Sequence, residues 1–99
     1  MYGTIMHGRL APGSTREAFR DTLAEGEYTP VSGFVSSHLL TPDGGGDDVW
    51  LAVFFTDRDA YRANADDPAQ HERYVAFRAH LAADPEWFDG TWEAFEPGS

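Results

Sequence analysis

The four histidines are the side chains of this sequence best suited to chemistry, because imidazole binds metals and exchanges protons near neutral pH. His71 and His80 are nine residues apart, and His7 and His38 lie in different predicted strands, so neither an HxH nor an HExxH spacing occurs. A three-histidine metal site would require the fold to gather distant residues. For any one exposed histidine, a solvated side chain is the simpler interpretation, and we predict no metal site.

Several other chemistries are excluded by residue content or spacing. The sequence has no cysteine, which rules out disulfides, thiolate nucleophiles, iron–sulfur clusters and cysteine zinc sites. The glycine triplet at residues 44–46 lacks the GxGxxG and GxxxxGK spacings of phosphate-binding loops. The acidic residues form no spaced pair typical of glycosidases, and no local motif suggests a Ser-His-Asp set. Nucleotide binding and these hydrolytic reactions are therefore unsupported.

Charge limits the partners of the protein. Seventeen acidic residues against seven Lys and Arg give a net charge of −10 in 99 residues. Such a field repels nucleic acids and anionic membrane surfaces, so we expect neither as a partner. The longest apolar run covers only residues 51–55, and the first residues lack a basic leader. We therefore expect a cytoplasmic protein.

The first half of the sequence predicts a strand, a helix and a hairpin. Residues 2–11 alternate as a strand, with Ile5 and His7 on one face and Thr4 and Met6 on the other. A capping box from Ser14 to Glu17 predicts the start of a helix that passes through Phe19 and Leu23 and ends at Gly26. Residues 31–40 and 48–56 then predict two strands joined by turn residues 41–47, with the second strand central in the sheet.

The second half predicts two helices and a closing strand. Asp57 caps a short helix that runs to about Asn64, and Asp67 followed by Pro68 starts a longer helix to about Ala83. An inward stripe is predicted at His71, Tyr74 or Val75, Arg78 and Leu81. Residues 91–95 alternate as the last strand. The order βαββαβ predicts a ferredoxin-like α+β domain over residues 1–99, with an ordered core of about 2–96 and a four-stranded antiparallel sheet.

Segments spread over residues 2–96 resemble the antibiotic biosynthesis monooxygenase family. They are VSGFVS at 31–36, WLAVFF at 50–55, DAYRANA at 59–65, HERY at 71–74 and PEWFDG at 85–90. The resemblance implies a dimeric α/β barrel, in which two sheets pack face to face and each sheet forms a pocket with its own helices. Members include cofactor-independent oxygenases of aromatic polyketides and small quinols, haem-degrading oxygenases and proteins without an assigned activity.

By resemblance to the cofactor-independent members, one pocket should hold a small aromatic molecule without any cofactor. The catalytic candidates are Asn64, Tyr61, Arg78 and Tyr74, and the substrate-binding candidates are Trp50, His7, His38 and Phe54. The chemistry needs an anion stabiliser, a hydrogen-bonding amide or phenol, and aromatic walls. Each of four candidates could instead have a structural role. Trp50 and Tyr74 could belong to the core, Arg78 could form an ion pair at the surface or in the dimer, and Asn64 could end a helix.

Two alternatives to monooxygenation follow from the same resemblance. In a haem-binding member His71 would be the axial ligand. Tyr61 lies ten residues before it, where the haem-degrading members have tryptophan, and His7 stands near their first-strand asparagine. The other alternative is a barrel that binds a ligand, or steers a cyclisation, without catalysis.

A homodimer is predicted for two reasons. A chain of 99 residues buries only about 60 to 65% of its unfolded surface, so a partner would add stability. Trp87, Phe88 and Trp92 also crowd the C-terminal segment, and such aromatic clusters are typical of interfaces.

Overall fold

The structure is a computed structural model that describes residues 1–25 and 31–95. Its elements are β1 (Tyr2–Arg9), α1 (Arg16–Glu25), β2 (Phe34–Leu40), β3 (Asp48–Phe55), α2 (Arg58–Ala65), α3 (Pro68–Arg78) and β4 (Glu86–Thr91). The strands form one antiparallel sheet in the order β2-β3-β1-β4. The predicted four-stranded ferredoxin-like α+β fold is confirmed. The predicted helix end at Gly26 lies outside the described residues.

The core lies between one face of the sheet and the helices. Met6 of β1 pairs with Leu51 of β3, and both side chains point to this helix face. Phe19 of α1 and Phe77 of α3 cover them, with their rings edge to face at 6.1 Å. The buried cluster comprises Met6, Leu10, Phe19, Val49, Leu51, Phe77 and Leu81. Phe19 was named in the predicted first helix, whereas Phe77 was not named at all.

Two of the three predicted helix starts are confirmed in detail. Asp57 accepts a hydrogen bond from the Ala60 N–H at 2.8 Å, and Asp67 accepts one from the Ala69 N–H at 2.9 Å. For α1 the predicted capping box is wrong by one residue, because Thr15 caps the helix by accepting from the Ala18 N–H at 3.1 Å. The chain before Thr15 is held instead by a turn, in which the N–H of residue 14 bonds to the carbonyl of residue 11.

The end of the chain differs from the prediction. The helix predicted to reach Ala83 ends at Arg78, and the last strand is Glu86–Thr91 instead of residues 91–95. After α3, Leu81 forms a bridge with Leu10, which turns the chain back to the sheet five residues before β4 begins. The position of β4 is therefore determined by its pairing with β1 and not by the local alternation of residues 91–95. Val75, offered for the inward stripe, is 53% exposed.

The opposite face of the sheet is apolar and has no helix on it in the part of the chain described. We call it the open face. Its central part consists of Ile5, His7, His38, Leu40, Trp50, Ala52, Phe54 and Phe88, and the charged residues Arg9, Asp48 and Glu86 lie at one end of the same face. Leu40 and Phe88 are 58% and 52% exposed. A hollow of about 290 Å³ on this face is lined by Ile5, His38, Leu39, Leu40, Trp50 and Ala52. Among the described residues, no helix has the length and apolar character needed to cross a membrane.

Candidate functional site

The eight predicted site residues lie on two opposite faces of the sheet. The helices α2 and α3 place Tyr61, Asn64, Tyr74 and Arg78 on the helix side. His7, His38, Trp50 and Phe54 belong to the open face. The expectation that one pocket is lined by both sets is wrong, because side chains alternate along a strand and Leu51, next to Trp50, points into the core. The two groups are therefore separate candidate sites.

Tyr61 is the polar centre of the helix side. Its hydroxyl donates a hydrogen bond to Asp89 Oδ1 at 3.1 Å. The centroid of its ring lies 5.2 Å from that of Tyr2 and 5.7 Å from that of Phe55. Burial, and then the negative charge of Asp89, raises the pKa of Tyr61 to about 12. The phenol is therefore protonated at neutral pH, and it can act as a hydrogen-bond donor but not as a base.

Two buried polar atoms near Tyr61 have no hydrogen-bond partner among the described residues. Thr4 is 2% exposed, and its hydroxyl lies near that of Tyr61 without reaching hydrogen-bond geometry. The side-chain oxygen of Asn64, one helical turn after Tyr61, is also buried and unpaired. An unsatisfied buried polar group costs about 1 to 3 kcal/mol. Both atoms have unused hydrogen-bonding capacity, and because they are enclosed, a ligand group would reach them only after the neighbouring side chains move.

Aromatic side chains continue the site along α3 and β4. The ring centroid of Tyr74 lies 5.2 Å from that of Phe77 and 6.3 Å from that of Trp87. Trp87 is two residues before Asp89 on β4, so their side chains share the helix face of the sheet. We call Thr4, Tyr61, Asn64, Tyr74, Trp87 and Asp89 the helix-side site. It offers hydrogen-bonding groups beside apolar walls, the combination that binds hydroxylated aromatic molecules.

Arg78 makes contacts that a structural role explains. Its Nε donates to Asp84 Oδ1 at 2.9 Å, and its Nη1 donates to the Leu81 carbonyl at 2.9 Å. Both partners belong to the segment that follows α3, so the guanidinium closes the C-terminal end of that helix. We therefore leave Arg78 out of the helix-side site.

The histidines do not form a common site. His71 is exposed in the first turn of α3, and this location fits poorly with an axial haem ligand, which must project into an apolar pocket. The side chain of His80 hydrogen-bonds Thr22 Oγ1 at 2.8 Å, and that of exposed His38 hydrogen-bonds Ser36 Oγ at 3.1 Å. Within residues 1–25 and 31–95, no three His, Asp or Glu side chains are arranged to hold a metal ion.

His7 joins the open face to two carboxylates. Its ring stacks on Trp50 with centroids 4.0 Å apart. Its Nε2 lies 2.9 Å from Asp48 Oδ1, and its Nδ1 lies 3.3 Å from Glu86 Oε1. The hydrogen bond to Asp48, followed by that to Glu86, raises the pKa of His7 although burial opposes the rise. Protonated His7 can donate to both carboxylates at once.

Sequence reasoning missed four residues of these two clusters, which are Thr4, Asp48, Glu86 and Asp89. Strand alternation had placed Thr4 beside Met6 on the buried face, and a polar residue at a core position is a signal of function. Asp89 and Glu86 gave no such signal, because their segment was not predicted as a strand. Asp48 begins the predicted third strand, but its partner His7 follows only from the register.

The sequence matches no family model, and no curated protein is similar to it. Its structure, however, resembles many solved structures at low sequence identity. SnoaB, a cofactor-independent oxygenase from Streptomyces nogalater, superposes with a TM-score of 0.81 and 19% identity, over 97% of this chain and 96% of that one. For a monooxygenase from Streptomyces coelicolor in complex with nanaomycin D, the TM-score is 0.74 and the identity 17%, over 99% and 92%.

A candidate antibiotic biosynthesis monooxygenase from Chloroflexus aurantiacus has 22% identity and a TM-score of 0.75, over 96% of this chain and 95% of its own. All three align over nearly their whole lengths, so the agreement covers the complete sheet and its helices. This chain has the fold of the antibiotic biosynthesis monooxygenases.

Proposed function

We propose that this protein belongs to the antibiotic biosynthesis monooxygenase family and oxygenates a hydroxylated aromatic molecule at the helix-side site without a cofactor. The observation that carries the proposal is the composition of that site. A protonated Tyr61 donor and the unpaired polar atoms of Thr4 and Asn64 lie beside the aromatic rings of Tyr74 and Trp87. The similarity of the fold to SnoaB, a cofactor-independent oxygenase, supports the same reaction class.

The proposed reaction uses the substrate as its own reductant. An activated CH₂ group beside the aromatic rings passes a proton to solvent and leaves a carbanion, which transfers electrons to dioxygen; the proton is recovered when water forms. One oxygen atom becomes a carbonyl on that carbon and the other leaves as water, so the CH₂ group and O₂ give C=O and H₂O. On substrate binding the Tyr61 hydroxyl would turn its one hydrogen from Asp89 to the developing oxyanion, and the amide NH₂ group of Asn64 would donate a second hydrogen bond. The rings of Tyr74 and Trp87 would flank the substrate.

We further propose that two copies pair through their open faces. The face is largely apolar, and Leu40 and Phe88 project from it with more than half of their surfaces exposed. Contiguous apolar patches of several hundred Å² are rare on monomers and mark interfaces. In such a pair the helix-side sites lie on the outer sides of the two sheets, so each chain would keep a complete site.

An oxygen electrode tests the reaction. Anthrones and naphthalene quinols are supplied to the purified protein, and oxygen uptake is compared with the rate without protein. We expect uptake by the wild-type protein that falls about 100-fold in Asn64→Ala, as is typical when one oxyanion donor is lost. Arg62→Ala is the matched control, since Arg62 is exposed on the same helix. Unchanged turnover in Asn64→Ala would contradict the proposed site.

A further inference from the structure

Asp89 brings a negative charge to the helix-side site. It lies on β4 opposite Thr4 of β1, and one of its carboxylate oxygens accepts the hydrogen bond from Tyr61. The charge of Asp89 reaches the phenol, since it is the second cause, after burial, of the raised pKa of Tyr61. A ligand that hydrogen-bonds the Tyr61 hydroxyl would lie within the same field.

No cation offsets this charge among the ion pairs of the described residues. Arg78 is paired with Asp84, and Arg9 with Asp48. Arg16 donates to the carbonyls of residues 46 and 48, and Arg73 donates to Gln70. The net charge of the chain, −10, has the same sign as Asp89. Arg58 and Arg62 are exposed on α2, and neither is ion-paired with Asp89 in the described part of the chain. A second anion at this site would therefore meet a carboxylate that no ion pair neutralises.

We infer that the helix-side site selects neutral hydroxylated aromatic molecules over carboxylate-bearing ones, and that Asp89 sets this selectivity. The inference rests on the proposed function, because it concerns the substrate class of the same site. A neutral ligand can donate a hydroxyl hydrogen to Asp89 or to the side-chain oxygen of Asn64, whereas a carboxylate can only accept. Like charges placed together oppose binding, and solvent at the exposed side of Asp89 screens part of this effect.

A matched pair of ligands isolates the charge. Methyl 1,4-dihydroxy-2-naphthoate and the free acid share one ring system and differ in the ester and carboxylate. Their dissociation constants are measured by titration calorimetry under nitrogen, so that no oxygenation occurs. We expect the ester to bind the wild-type protein about tenfold more tightly than the acid, a modest value for a partly screened charge pair.

Two comparisons identify Asp89 as the cause. In Asp89→Asn, which keeps an acceptor oxygen for Tyr61, the ester-to-acid ratio is expected to approach one because binding of the acid improves. Asp21→Asn removes the same charge from an exposed position on α1 and is expected to keep the wild-type ratio. In the wild-type protein, added salt is expected to strengthen binding of the acid and to leave that of the ester unchanged. This salt test needs no variant.

The outcomes separate this inference from the proposed reaction. Equal binding of both ligands by the wild-type protein, or an unchanged ratio in a folded Asp89→Asn, would overturn the inference and leave the reaction class untouched. Selective binding that depends on Asp89, without oxygen uptake from any anthrone or quinol, would support the inference and contradict the reaction. Binding of neither ligand would overturn the inference, whereas the reaction is contradicted only if no anthrone or quinol gives oxygen uptake.

Discussion

Tyr61 holds its proton at every pH in ordinary use, and this determines its contribution to catalysis. Without substrate its hydroxyl donates to Asp89, and in the proposed reaction the same hydrogen would turn to the developing oxyanion. Tyr61→Phe is expected to lower kcat about 100-fold, as for loss of an oxyanion donor, with little change in melting temperature. The measurement is oxygen uptake with the best substrate of the panel.

A spectroscopic titration checks the ionisation itself. The tyrosinate absorbance of the wild-type protein minus that of Tyr61→Phe should show one group titrating near the raised pKa of about 12. A difference curve centred near 10, the ordinary value for tyrosine, would show that the hydroxyl is not held in this environment.

His7 makes stability depend on pH. Because Asp48 and Glu86 raise the folded pKa of His7 above its ordinary value of 6.5, the stabilisation is fully present below that value while the carboxylates are ionised. It is lost as the pH rises through the folded pKa. The melting temperature is therefore expected to fall as the pH rises above 6.5, and the fall should be smaller in His7→Gln. His38→Gln is the control, because His38 is an exposed histidine of the same face. If the melting temperature of His7→Gln fell with pH as steeply as that of the wild-type protein, the assignment of this dependence to His7 would be refuted.

At the scale of elements, the turn that leads into β2 depends on Gly33. This residue has a φ of +78°, and a β carbon there would lie 2.5 Å from the Ala60 Cβ and 2.9 Å from the Thr56 Oγ1. Gly33→Ala is expected to lower the free energy of unfolding by about 2 kcal/mol or more, since strain and a clash combine. Urea unfolding measures the loss.

Gly45 provides the matched control for Gly33. Its φ is +72°, but a β carbon there would meet no atom within 4 Å. Gly45→Ala therefore carries the conformational cost alone, about 1 kcal/mol. Equal losses in the two variants would show that contact with Ala60 does not matter.

The elements also show which parts of the fold can be predicted from local sequence. Asp57 and Asp67 were found because a helix cap depends on side chains within three residues. The last strand was misplaced because the position of Glu86–Thr91 depends on its pairing with β1 at the far end of the chain. The same limit explains the site, since Tyr61 was identified by type and resemblance but its partner Asp89 only by the structure.

At the scale of the whole molecule, the open face predicts that the protein is a dimer in solution. Light scattering at micromolar concentration is expected to give twice the mass of one chain. Phe88→Glu should convert the protein to monomers, because it places a charge in the proposed interface. Val75→Glu is the control: Val75 is as exposed as Phe88 but lies on α3, away from the open face. A monomeric wild-type protein would refute the proposed pair.

The position of β1 in the sheet affects how the protein is made. This strand is synthesised first, yet it lies in the centre of the sheet, and its neighbour β4 is the last strand to be synthesised. Until β4 emerges from the ribosome, one edge of β1 has no partner. Pairing across such a long stretch of chain slows folding, because the entropy of closing the loop is lost before the contact forms. Chains interrupted before residue 86 would expose that edge together with apolar surface, and we expect such chains to aggregate and to depend on chaperones.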